Sequence, residues 1–67
     1  KNFQSKQQEA IYNFIEKNGQ IVTAEVEELL GVKQRRARKI LKEMVEGGLL
    51  RKIGAAKNTH YILTERK

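Results

Sequence analysis

Six cations, Lys33, Arg35, Arg36, Arg38, Lys39 and Lys42, fall within ten residues that contain no acid. The chemistry open to such a cluster is recognition of a polyanion, because each cation set on a phosphate releases a condensed counterion. The rest of the chain sets the cluster apart. Residues 1–32 carry three Lys against five Glu, and Glu43 and Glu46 follow the cluster. Arg51, Lys52, Lys57, Arg66 and Lys67 then stand against Glu65. The segment 33–42 alone holds +6, which is also the net charge of the whole chain. Charge concentrated in this way favours a polyanionic partner.

The remaining inventory excludes most other chemistry. The chain has no Cys and no Asp, a single Ser (Ser5) and a single His (His60). Disulfides, thiolate zinc sites and a nucleophilic thiol are therefore ruled out. A Ser-His-Asp arrangement or a metal cage cannot be assembled from one such chain. The eight Glu fall on polar helix positions and read as solvated surface. No metal, no cofactor and no enzymatic activity are expected. His60 lacks a second ligand and reads as a partly exposed strand residue. With two Tyr and two Phe in the chain, stacking platforms for single-stranded nucleic acid are lacking, and Tyr61 is expected in the core.

A chain of 67 residues is one domain, and its small core leaves little room for a deep catalytic pocket. No apolar run approaches the roughly 20 residues that span a bilayer. No signal peptide is visible, so a cytoplasmic location is expected. The chain begins at Lys1 rather than Met, which suggests a domain excised from a longer protein.

The elements that must position the cations follow from caps and periodicity. Ser5 and Gln8 have capping-box spacing and open a helix predicted over 6–18, with Ile11, Phe14 and Ile15 as its buried stripe. Phe3 could pack back onto that stripe. Gly19 ends the helix by accepting a left-handed conformation. Gln20-Ile21-Val22 reads as a brief strand. Thr23 is the expected N-cap of a second helix over 24–30, with Val26, Leu29 and Leu30 buried and Glu25, Glu27 and Glu28 in water. Gly31, Val32 and Lys33 make a three-residue turn. A third helix is predicted over 34–46, held by Ala37, Ile40, Leu41, Met44 and Val45 and stopped by Gly47-Gly48. Strands over 49–53 and 59–63 flank a five-residue loop and read as an antiparallel hairpin. The fold class is α+β, mainly α: a three-helix bundle with a helix-turn-helix and a hairpin wing.

On a wheel of about 100° per residue, Arg35, Lys39, Lys42 and Glu46 lie opposite the apolar set of the third helix, and Arg36 and Arg38 sit on its two borders. This arrangement opposes helix stability. Cations at a helix N-terminus cost roughly 0.3–1 kcal/mol each, and Lys33 takes a cap position where a small polar residue would be worth about 1 kcal/mol more. Phosphate reverses the sign of both penalties. Lys57, Asn58 and Thr59 at the hairpin tip could reach phosphate or the minor groove, or be ordinary turn residues. Arg51 and Lys52 could add backbone contacts, although on a strand at most one of them faces the DNA.

The stretch TAEVEELLGVKQRRARKILKEMVEGGLLRKIGAAKNTHYIL, residues 23–63, resembles the winged helix-turn-helix superfamily of bacterial and archaeal transcription regulators. It is especially similar to the small C-terminal winged domains of regulators that carry a divergent AAA-type ATP-binding domain. The pattern's apolar positions match Val26, Leu30, Val32, Ala37 and Ile40, with Gly31 at the turn. EGGLLRKIG resembles the lead into the wing, and THYIL resembles the return strand. The resemblance implies that Lys33, Gln34, Arg35, Arg38 and Lys39 face the major groove. The chain departs from the pattern at Lys33, where a small polar cap is usual, at Arg36, often Thr or Ser, and at Glu27, often a small residue.

The partner expected from all this is double-stranded DNA. Arg35 and Gln34 are the candidates for base edges. Lys33, Arg36, Arg38, Lys39, Lys42 and Lys57 are candidates for phosphates, with Asn58 and Thr59 beside them on the wing. The alternatives are a protein-interaction winged helix, with a homodimer or other domains of the parent chain as partner, and shape recognition of RNA.

Overall fold

In the computed structural model, residues 5–54 and 59–64 are described. Three helices are followed by one hairpin: α1 (Lys6–Asn18), α2 (Thr23–Leu30), α3 (Gln34–Glu46), β1 (Leu50–Ile53) and β2 (His60–Leu63). The strands pair antiparallel, Leu50 with Leu63 and Ile53 with His60 at the two ends. This is the winged-helix arrangement, mainly helical in the α+β class, that the periodicity predicts. Phe3, Lys57 and Asn58 lie outside the described residues.

Each helix starts and stops for a local reason. Ser5 Oγ accepts the Gln8 N–H at 3.3 Å and opens α1. Gln8 itself is only 4 % exposed, a buried polar residue that the apolar stripe did not anticipate. The cap of α2 differs from expectation. The N-cap is Val22, not Thr23, and the helix begins one residue early. Valine has no side-chain acceptor, so the work passes to Glu25. Its carboxylate Oε1 accepts the Val22 N–H at 3.0 Å, and the Glu25 N–H donates to the Val22 carbonyl at 3.0 Å. A carboxylate at this position also meets the positive end of the helix dipole.

Gly31 closes α2 at φ 68°, a left-handed conformation that L side chains rarely adopt. The Val32 N–H then reaches back to the Glu27 carbonyl at 3.1 Å, which tightens the turn into α3. At the far end of α3 the left-handed residue is Gly48 (φ 82°), while Gly47 stays right-handed at φ −81°.

The core draws on every element: Ile11 and Ile15 of α1, Val26 of α2, Ala37, Ile40, Leu41 and Met44 of α3, Leu50 of β1 and Tyr61 of β2. Ile21 joins them, and its backbone exchanges two hydrogen bonds with Tyr61, at 3.0 and 2.8 Å. The brief strand expected over 20–22 is thus a single bridge residue. Val22 is already committed to capping α2, which leaves no length for a ladder. Phe14, Leu30 and Val45 are half-buried against the core, as is Leu49, which lies just before β1 rather than in it.

One expected core residue is not there. Leu29 is 40 % exposed. With eight residues, α2 has about two turns and presents one narrow stripe inward. Val26 and Leu30, four apart, occupy it, and Leu29 falls to the side. There it borders a shallow groove with Phe14 and Lys17 of α1.

Candidate nucleic-acid interface

The third helix is clamped from one side and open on the other. Ala37, Ile40, Leu41 and Met44 are buried, whereas Lys33, Gln34, Arg35, Arg36, Arg38, Lys39 and Lys42 are all exposed. The described strands of the wing do not cover the basic face. The core thus supplies the binding energy that holds a helix whose own sequence is unhelpful. Its N-cap, Lys33, is extended (φ −86°, ψ 167°) and makes no side-chain cap, and no acid stands in the first turn. Arg35 and Lys39, and likewise Arg38 and Lys42, are four apart, where like charges destabilise a helix by roughly 0.2–0.5 kcal/mol per pair. An anion laid along this face relieves both burdens.

The two borders of the basic face meet different neighbours. On one side Arg36 donates from Nη2 to Gln7 Oε1 of α1 at 3.5 Å. On the other side Arg38 and Lys42 line a cleft of about 810 Å³ together with Thr23 at the start of α2 and Lys52 of β1. Val45 and Tyr61 contribute apolar surface to the same cleft, and half-buried Thr59 lies at its wing side. Arg35 and Lys39 lie between the two borders on the wheel.

Thr23 and Lys52 are polar residues that only tertiary packing brings to this cleft. The sequence marks Thr23 only as a cap, and Lys52 cannot be separated from Arg51 without the register of the hairpin. His60 is half-buried, and Tyr61 is 7 % exposed and part of the core. Among the described residues no group of His, Cys, Asp or Glu could hold a metal ion. No helix there is long and apolar enough to cross a membrane.

The sequence matches the family described as "Transcriptional regulator DIP2311-like, C-terminal domain" over residues 4–64. The chain belongs to this family. The match spans all five elements, from the first turn of α1 to the end of β2, so the DIP2311-like match covers the whole winged helix of this chain and not the helix-turn-helix alone. It agrees with the resemblance to C-terminal winged domains of regulators. No curated protein and no solved structure matches the chain significantly.

Proposed function

We propose that this domain binds double-stranded DNA with α3 in the major groove. The observation that carries the reading is the exposure of all six cations at residues 33–42, on a helix whose opposite face is buried. The description of the family as transcriptional regulators supports it. Arg35 and Gln34 are suited to guanine and adenine edges. Lys33, Arg38, Lys39 and Lys42 fix the register on phosphates, with Arg36 on the α1 side, and Lys57, Asn58 and Thr59 are the further candidates for backbone contacts. The role is one of binding rather than catalysis. The family's description as a C-terminal domain supports a single recognition module carried by a longer regulator.

Titration of the domain against random duplex DNA at several salt concentrations tests this. Neutralising about five phosphates gives a log–log slope near −4.5, and Arg35→Glu/Lys39→Glu abolishes binding. A slope flatter than about −2, or unchanged affinity in the double variant, would favour a protein partner instead. Competition between duplex DNA and duplex RNA separates the third reading, since A-form RNA offers α3 no readable major groove.

A further inference from the structure

Strand β1 sends two adjacent cations, Arg51 and Lys52, to opposite sides of the hairpin. The register decides which side each takes. Leu50 pairs with Leu63, Arg51 with Ile62 and Lys52 with Tyr61. Leu50 and Tyr61 are core residues, so Lys52 is on the core-facing side of the ribbon and Arg51 on the outer side. Lys52 is nevertheless exposed, although its cross-strand partner Tyr61 is buried. There it lines the cleft that Arg38 and Lys42 line from α3.

We infer that Lys52, with Arg38 and Lys42, seats one sugar-phosphate segment of the DNA backbone in the cleft between α3 and the wing. The inference rests on the DNA reading above. Two elements bring three cations to one concave surface, and among the described residues no carboxylate lines it. A phosphate between these cations replaces mutual repulsion by charge-assisted hydrogen bonds. The apolar surface of Val22, Val45 and Tyr61 in the same cleft suits the non-polar edge of a deoxyribose. The body of the wing, and not only its tip, then sets how deeply α3 enters the groove. Lys52 acts as a positioning residue that carries no base information.

Arg51 supplies a control of equal charge one residue away. Lys52→Gln, Arg51→Gln and Arg35→Glu/Lys39→Glu are compared with the parent domain on random duplex DNA across a salt series, with thermal melts of each. Lys52→Gln is expected to melt like the parent, bind roughly 3–10-fold more weakly and flatten the log–log slope by about 0.9, one phosphate's share. Arg51→Gln is expected to stay within about twofold of the parent, with the slope retained. Parent-like binding by Lys52→Gln, or equal losses in the two glutamine variants, overturns the inference. If these occur while the double variant still loses binding, the DNA reading survives. If the double variant also binds like the parent, both fall.

Discussion

Arg36 of α3 and Gln7 of α1 are joined by a hydrogen bond of 3.5 Å, Nη2 to Oε1, on the surface of the domain. The contact ties the border of the basic helix away from the wing to the first turns of α1. It also divides the two border arginines by role. Arg36 is held toward α1, and Arg38 lines the cleft with Lys42.

Arg38→Ala should therefore weaken duplex DNA binding more than Arg36→Ala. Both residues are exposed, so neither change should move stability beyond about 0.5 kcal/mol. Fluorescence anisotropy on one labelled duplex compares the two. A greater loss from Arg36→Ala would mean that the α1 border, not the wing border, carries the backbone contact.

Lys33→Ser should trade function for stability. Lys33 is the N-cap of α3 and makes no side-chain cap. A serine there offers an acceptor to the first turn and removes a cation from the positive end of the helix, together worth about 1 kcal/mol or more. Urea unfolding should show the gain, and the salt slope of DNA binding should flatten by about 0.9. A variant with parent stability would show that the first turn of α3 is already satisfied in the parent.

The turn between α2 and α3 rests on Gly31. A Cβ built there meets nothing within 4 Å, yet φ is +68°, so the penalty of substitution is backbone strain alone. Gly31→Ala should cost roughly 1–2 kcal/mol, and Gly31→Asn less, because asparagine tolerates the left-handed region. Chemical denaturation of the pair checks this. Equal losses would point to a side-chain clash that the open surroundings do not provide.

Leu41 and Leu29 should differ sharply although both are leucines on helices of the bundle. Leu41 is fully buried in the core and Leu29 is 40 % exposed. Leu41→Ala should cost about 2–5 kcal/mol, comparable to the whole stability of a domain this small, and leave much of the protein unfolded. Leu29→Gln should stay within about 0.5 kcal/mol. Circular dichroism melts separate the two outcomes, and a large loss at Leu29 would contradict its exposure.

Much of this protein is written in short-range chemistry. Helix α3 spans Gln34–Glu46 as its 3.6-residue apolar spacing predicts, because that spacing and the glycines after it need no distant partner. The same spacing puts Arg35 and Lys39 opposite the core. Tertiary structure decided what local periodicity leaves open. Leu49 and Leu50 are adjacent, so alternation along the strand allows either parity. Only the pairing of Leu50 with Leu63 and the burial of Leu50 turn Lys52 toward α3 and Arg51 away. A helical wheel marks Arg36 and Arg38 as borders, but which border meets α1 and which meets the wing depends on how three helices pack. Leu29 and Leu30 are identical in side chain and adjacent in sequence. The width of the stripe that a two-turn helix can bury between its neighbours kept one and released the other.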